Sequence, residues 1–489
     1  MSGLLLGDIF PDFEAETTVG RIKFYEYLGD SWGILFSHPK DYTPVCTTEL
    51  GRVVRLNSEF SKRNVKLIAL SIDCLEDHHG WSKDILAYNC EDYESCALPF
   101  PIIADRNREL AVSLGMMDPD VRDENDLPLT ARCVFLIGPD KTLKLSLLYP
   151  DPTGRSFDEI LRVVDSLQLT NMIQVNTPAD WKPGDNVIVP SSMSEDEAAS
   201  LFPAGVHTKE LPSGKTYLRF TPQPQIHRQT CCRTRNPLHF RRMPGLLLGD
   251  VFPDFEAETT IGRIKFHEYL GDSWGILFSH PKDYTPVCTT ELGRAARLSS
   301  EFSKRNVKMM AISLDSLEDH HGWSKDILAY NCDESGTCML PFPIIADRKR
   351  ELAVSLGMLD PDEKDKDGLP LTARCVFIIG PDKKLKLSLL YPATTGRNFD
   401  EILRVLDSLQ LTAGIRVATP ADWKPGVCVM VPPSIPEEEA AALFPAGVYS
   451  KELPSGKKYL RYTPHPESNS KPKDTKHSQT EPNFEPSQS

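Results

Sequence analysis

The sequence predicts an α/β protein: a mixed central sheet flanked by helices on both faces, then a small second domain, the whole unit present twice in tandem. Three observations carry this. Short apolar runs alternate with stretches of helical spacing, the signature of strands and helices in turn. Two later apolar runs are joined by Gly138-Pro139-Asp140, which adds an antiparallel hairpin to the sheet. And SHPKDYTPVCTTELGR, residues 37–52, recurs unchanged at residues 279–294.

The elements follow in order. WGILFSHP from Trp32 is a short apolar run, a buried strand. TTELGRVVRLNSEFSKRN follows with Leu50, Val53, Val54, Leu56 and Phe60 at helical spacing. VKLIALSID from Val65 is a second buried strand, HHGWSKDILAYN a helix, FPIIAD a short strand, and RELAVSLGM a helix closed by Gly115. ARCVFLIGPDKTLKLSLLYP is the hairpin, and SFDEILRVVDSLQL an amphipathic helix capped by Ser156. Beyond about residue 170 the strands are short and punctuated by Pro and Gly, the texture of a small separate domain.

Every element returns downstream. Cys46 reappears as Cys288 and Trp181 as Trp423, an offset of 242 (288 minus 46, and equally 423 minus 181). Each copy is about 220 residues, far longer than the roughly 20–45 residues of a solenoid unit. The expected boundaries are 3–170 and 171–224 for the large and small domains of copy 1, and 245–412 and 413–466 for those of copy 2. Between them, 225–244 has five arginines and no acid; it reads as a basic flexible linker, with a docking segment as the alternative. The polar, Pro- and Ser-rich tail 467–489 reads as disordered.

Composition excludes several classes. A net charge of −14 on 489 residues argues against a nucleic-acid partner. No apolar run approaches the roughly 20 residues of a membrane span, so at most peripheral membrane contact is expected. MSGLLLGDIF lacks a basic n-region, so no secretory signal is expected. Twelve cysteines match neither a zinc ribbon nor a small disulfide scaffold, which leaves free or redox-active thiols in a cytoplasmic chain; the lysosome is a second expected location that the cysteines do not bear on. His78-His79 and His320-His321 have no ligand set at metal spacing; they read as solvent-facing helix residues, and no metal is expected.

The repeated segment carries the chemistry. Thr43 is a good N-cap and Pro44 suits the first helical position, which puts Cys46 in the first turn. Unpaired N–H groups and the positive end of the helix dipole favour a thiolate there, and the Thr43 hydroxyl can donate toward the sulfur. On these rules alone an inert buried thiol remains as open as a reactive one.

Pro39-x-x-x-Thr43-x-x-Cys46 matches the P-x-x-x-T-x-x-C motif of the peroxiredoxins, and PVCTTELGR resembles the 1-Cys (peroxiredoxin-6) class. The resemblance runs through both copies nearly end to end, including GDSWGILFSHP, LTARCVF and YPATTGRNFDEILRV. It implies a thioredoxin-like fold with a small C-terminal domain. It implies that Cys46 and Cys288 are peroxidatic, each becoming sulfenic acid as it reduces hydrogen peroxide or an organic or phospholipid hydroperoxide. Thr43 and Thr285 would hydrogen-bond sulfur and peroxide. Pro39 and Pro281 would shield the site. Arg132 and Arg374 would stabilise the thiolate, and His38 and His280 match the family's active-site histidine. No bound cofactor is implied; the reductant would be glutathione, delivered by a glutathione transferase. A homodimer is implied, or here an intramolecular pseudo-dimer. The additional cysteines, Cys74, Cys90, Cys96, Cys133, Cys332, Cys338, Cys375 and Cys428, read as non-catalytic thiols, with a local resolving role left open.

A second activity is implied for copy 2. GDSWG fits G-x-S-x-G, but its serine precedes a strand, where a nucleophile elbow follows one, so Ser31 by itself reads as a turn residue. The resemblance instead implies a calcium-independent phospholipase A2 built from His267, Ser273 and Asp382, with His267-x-x-x-x-Asp272 as an acyltransferase motif. Copy 1 keeps Ser31 and Asp140 but has Tyr25 at the histidine position, so lipid hydrolysis is expected in copy 2 alone. The alternative to both enzymes is a non-catalytic redox sensor or scaffold.

Overall fold

Strands covered on both faces read as continuous apolar runs, and WGILFS and VKLIALS, buried at all positions but Lys66, form the centre of the sheet in copy 1. The computed structural model describes residues 4–89, 96–224, 245–331 and 339–466. The basic segment 225–244, the tail from 467, and Cys90, Cys231, Cys232, Cys332 and Cys338 lie outside the described residues.

Copy 1 opens with a hairpin, β1 (Glu14–Thr17) and β2 (Gly20–Lys23), and a short helix α1 (Phe24–Leu28). Then come β3 (Trp32–Ser37), α2 (Pro44–Lys62), β4 (Val65–Ser71), α3 (Leu75–Asn89), β5 (Ile102–Ala104) and α4 (Glu109–Ser113). A ribbon of β6 (Met117–Arg122) and β7 (Pro128–Thr130) leads to the hairpin β8 (Arg132–Ile137) and β9 (Leu143–Tyr149), and to α5 (Phe157–Met172). The small unit holds β10 (Val187–Ile188), α6 (Glu195–Leu201), β11 (His207–Thr208) and β12 (Arg219–Thr221).

Copy 2 repeats this as β13 (Glu256–Thr259), β14 (Gly262–Lys265), α7 (Phe266–Leu270) and β15 (Trp274–Ser279). The long helix is here two pieces, α8 (Pro286–Arg297) and α9 (Ser299–Lys304), followed by β16 (Val307–Ser313), α10 (Leu317–Asn331), β17 (Ile344–Ala346) and α11 (Glu351–Ser355). It continues through β18 (Leu359–Lys364), β19 (Pro370–Thr372), β20 (Arg374–Ile379), β21 (Leu385–Tyr391) and α12 (Phe399–Gly414). Its small unit is β22 (Val429–Met430), α13 (Glu437–Leu443), β23 (Tyr449–Ser450) and β24 (Arg461–Thr463).

The sheet is mixed, as expected: β3 is parallel to β4 and antiparallel to β8, and β4 is parallel to β5. Ser156 caps α5 by accepting from Glu159 N at 3.2 Å. That helix runs to Met172, two residues past the expected boundary at 170, and α12 likewise passes 412. The polar hairpin β1–β2 and the ribbon β6–β7 were not expected, because EAET and MDPDVR lack the apolar run that marks a central strand.

The two copies are joined edge to edge. Strand β9 pairs antiparallel with β21, Leu147 opposite Leu389, so one 14-stranded sheet runs through both. The small units then cross over. Ser213 of copy 1 donates its N–H and hydroxyl to Asp326 of copy 2, at 2.8 and 2.6 Å, and Ser455 of copy 2 does the same to Asp84. Arg52 pairs with Asp422 at 2.7 Å, and Arg294 with Asp180. The copies approach so closely at Gly154 that a Cβ there would lie 2.3 Å from the Pro420 oxygen; Gly396 meets Pro178 in the same way. A side chain at either position would force the copies apart. The pseudo-dimer is thus contained in one chain.

Two expectations follow. In solution the chain sediments as a 54.8 kDa particle independent of concentration; a species of twice that mass that dissociates on dilution contradicts the internal pairing. Burial, reinforced by Glu363, pushes the Asp360 carboxyl up to about 7. Such a group holds a proton that the unfolded chain has released, so its contribution is greatest below the unfolded value and is lost as pH rises through the folded one. The stability of the chain relative to Asp360→Asn should therefore decline between about pH 4 and pH 7. Denaturant melts showing a pH-independent difference would contradict this.

Candidate active site

The chain turns from β3 into α2 through a strained corner. Tyr42 has a left-handed φ of 53° and Thr43 is extended, so Pro44 begins the helix and Cys46 lies in its first turn, fully buried. Tyr284, Thr285, Pro286 and Cys288 repeat the corner. Pro39 and Pro281 are buried beside it. Thr43 holds the N-cap position without capping. Its hydroxyl lies within hydrogen-bond reach of the sulfur, where donation favours the thiolate, and also within 2.9 Å of the Lys40 carbonyl. Thr285 donates to Lys282 O at 2.8 Å in the same way.

Arg132, the first residue of β8, reaches the sulfur. Its Nη1 lies 3.2 Å from Cys46 Sγ and 2.9 Å from Glu49 Oε2. Arg155 holds the other side of Glu49, with Nε 2.9 Å from Oε1, Nη2 2.7 Å from Oε2, and its own N–H 2.8 Å from Oε1. Copy 2 matches: Arg374 Nη1 is 3.3 Å from Cys288 Sγ and 2.8 Å from Glu291, which Arg397 grips. Burial would push the Glu49 carboxyl up, but Arg155 and Arg132 hold it down to about 2. Glu49 is thus a fixed anion. At Cys46, burial pushes the thiol above its ordinary value; the Arg132 guanidinium pulls it back only in part, and Glu49 opposes that pull. The guanidinium is what makes an ionised sulfur tenable in this interior.

His38 Nε2 meets Asp41 Oδ1 at 2.7 Å and its ring lies 5.0 Å from that of Trp81. The helix histidines need a correction. His78 is not solvent-facing but fully buried, with Nδ1 2.6 Å from Asp41 Oδ2. His280, Asp283 and His320 repeat this. Of the two pairs, His79 and His321 are the members that face solvent. The sequence pattern misses the cluster because Asp41 lies 37 residues from His78 and meets it only after folding. Each Asp is held low against its burial by the two histidines, so the cluster acts as a brace behind the cysteine loop.

The other copy completes each site. Thr47, next to Cys46, bonds Tyr459 OH of copy 2 at 3.2 Å, and Trp81 Nε1 donates to the same Thr47 oxygen at 3.0 Å. Tyr459 OH also donates to Asp84 at 2.9 Å. Tyr217 of copy 1 plays this part at Thr289 and Asp326.

The lipase residues do not assemble into a hydrogen-bonded triad. Ser273 Oγ donates to Asn306 Oδ1 at 2.9 Å, His267 Nε2 meets Phe252 O at 2.8 Å, and Asp382 accepts from Lys386 at 2.7 Å. In copy 1, Ser31 bonds Asn64, Asp140 bonds Lys144, and Tyr25 OH donates to Phe10 O. Tyrosine and histidine thus fill one structural role at this position. Asp272 enters no hydrogen bond with His267 here.

Residues missed from sequence are Glu49, Arg155, Asp41, His78 and the cross-copy tyrosines. Glu49 had a usable signal: it lies three residues after Cys46, on the apolar stripe of α2, where an acid must be paired. None of the described cysteines is in a disulfide. Burial pushes Cys133 and Cys375 up to about 12, which marks them as inert core thiols.

The comparisons agree with this geometry. The profile of the AhpC/TSA family matches residues 6–146 and again 248–388, and that of the C-terminal domain of 1-Cys peroxiredoxin matches 166–204 and 408–447. Peroxiredoxin-6 of Gallus gallus and of Homo sapiens are each 75% identical over 225 residues, 46% of this chain and all of theirs. The solved Peroxiredoxin 6 of Arenicola marina, a C-to-S mutant, is 62% identical over 46% of this chain and all of its own, with a TM-score of 0.44. A yeast mitochondrial 1-Cys peroxiredoxin is 44% identical over 45% of this chain and 99% of its own, with a TM-score of 0.40. With two cysteines at helix N-termini, each under a buried arginine, and both family profiles matched twice, the chain belongs to the AhpC/TSA family as a tandem pair of 1-Cys peroxiredoxin units with the thioredoxin-like fold.

Proposed function

We propose that each copy reduces peroxides through its buried cysteine, Cys46 or Cys288, with glutathione as the reductant. The observation that carries this is the arginine Nη1 within 3.3 Å of each sulfur at the start of a helix. The thiolate attacks the terminal peroxide oxygen. An S–O bond forms, the O–O bond breaks, and the leaving alkoxide or hydroxide takes up a proton, giving sulfenic acid and an alcohol or water. Arg132 and Arg374 lie against the sulfur, where they stabilise its ionised form as it reacts, and face the charge that passes to oxygen. Thr43 and Thr285 orient the peroxide, and Pro39 and Pro281 keep out water. His38 and His280 act as positioning residues through Asp41 and Asp283.

The described cysteines form no disulfide with Cys46 or Cys288, and an external thiol completes the cycle. One glutathione condenses with the sulfenic acid to a mixed disulfide and water; a second releases the thiol as oxidised glutathione. The 44% identical yeast 1-Cys relative is described as resolved via glutathione/thioredoxin systems, which agrees. Because the sulfur is fully buried, the tripeptide needs the first turn of α2 to open, and a delivering protein such as a glutathione transferase fits that need. A reducing compartment, the cytoplasm, suits this cycle.

Glutathione-coupled turnover tests the reading. Cys46→Ser and Cys288→Ser each remove one site's share of turnover, and the double variant removes it all. Arg132→Met with Arg374→Met lowers kcat/KM by about 10²–10³. A double serine variant that still consumes peroxide with glutathione would sink the proposal.

A further inference from the structure

The two sites differ by one charge. In copy 1, Arg132 donates from Nε to the Asp151 carbonyl at 2.7 Å and from Nη2 to the Asp151 carboxylate at 3.2 Å. The matching residue of copy 2 is Ala393. There Arg374 donates Nε and Nη2 to one backbone carbonyl, at 2.9 and 2.6 Å, and meets no second carboxylate. The remaining polar groups agree between copies. Cys46 is faced by Arg132 from β8, Glu49 from its own helix, Arg155 and Asp151 from the segment between β9 and α5, and, through Thr47, by Tyr459 of copy 2. Cys288 is faced by Arg374, Glu291, Arg397 and, through Thr289, Tyr217. The buried acids Asp118 and Asp360 occupy matching positions, the first beside Asp151 and the second beside Glu363, where copy 1 has Val121.

The count of charges decides the matter. In copy 2 two guanidinium ions face one carboxylate, so one positive charge is left for the thiolate. In copy 1 two guanidinium ions face two carboxylates, and an ionised sulfur adds an uncompensated negative charge. Asp151 is partly exposed, with 41% of its side chain open to solvent, so its effect is screened but not abolished. Its pairing partner is Arg132, the group that touches the sulfur.

We propose that Asp151 is a positioning residue that, through Arg132, makes Cys46 the slower of two unequal peroxidatic centres and leaves Cys288 the faster one. This rests on the peroxidase reading for its biological meaning, but the charge asymmetry itself does not. It has the same sign as the electrostatic influence of Asp151 on Cys46, which disfavours the thiolate. Copy 2 then takes most of the peroxide at low concentration, and copy 1 contributes as the supply rises or the pH increases.

The test is peptide-resolved alkylation of the full-length chain by iodoacetamide across pH, with no peroxide present. Thiolate absorbance of the Cys46→Ser and Cys288→Ser chains gives a second reading that needs no access to the buried sulfur. Near pH 7, Cys288 is expected to react about threefold to tenfold faster than Cys46. Asp151→Ala and Asp151→Asn both remove the charge and should bring Cys46 level with Cys288, while Ala393→Asp should slow Cys288. The asparagine variant keeps the side chain's shape and hydrogen-bonding capacity, so a purely structural role would leave its pH profile unmoved. Matching pH profiles for both cysteines in the unaltered chain, or an Asp151→Asn chain in which Cys46 is unchanged, would overturn the inference. Unequal cysteines in a chain that never forms sulfenic acid would uphold it while defeating the peroxidase reading.

Discussion

The structure depends on one buried ionic arrangement, the carboxylate of Glu49 between Arg155 and Arg132, and its twin at Glu291. A lone thiolate in an interior of low polarity is untenable, and so is a lone guanidinium. Arg155 meets Glu49 through both of its carboxylate oxygens and also binds the Cys133 carbonyl. With Glu291 so compensated, the charge of Arg374 is left to serve the sulfur of copy 2, whereas Arg132 in copy 1 is shared between the sulfur and Asp151. The same contacts tie α2, β8 and the start of α5 together, so the cluster fixes the fold and the reactive group at once. Removing one partner of such a set costs about 3–5 kcal/mol, because the others are left buried and unpaired.

The pairing of copies protects that arrangement. Helix α2 begins at a strained corner, and a backbone held in a left-handed conformation at a tyrosine needs support from its surroundings. Support comes from the other copy: Lys457 Nζ lies 3.1 Å from the centre of the Tyr42 ring, and Tyr459 meets Tyr42 edge-on at 5.8 Å. Lys215 and Tyr217 serve Tyr284 likewise. An isolated copy would lack these contacts. Joining the copies in one chain makes their meeting intramolecular, so the sites stay complete at any dilution.

Much of this was legible in the sequence. Apolar runs gave the central strands, helical spacing gave α2 and α5, and the Thr-Pro-x-Cys corner gave the cysteine's place in the first turn. The constant offset revealed the duplication. What stayed hidden had a common cause: it depends on long-range meetings that periodicity does not encode. His78 looked like one of two surface histidines because its partner Asp41 sits in a distant loop. Glu49 and Arg155 are 106 residues apart. The cross-copy bond from Thr47 to Tyr459 spans 412 residues. The residues of the lipase motif are a different case, since Ser273, His267 and Asp382 each have a local hydrogen-bond partner.

The central claim is that one chain holds two complete thiolate sites. It is tested most directly by treating the full-length protein with sub-stoichiometric peroxide in the presence of a sulfenic-acid trap and mapping the adducts by intact and peptide mass spectrometry. The account predicts adducts on Cys46 and Cys288 within single chains, and none on the inert Cys133 and Cys375. A folded chain that carries no adduct on either Cys46 or Cys288 would contradict it.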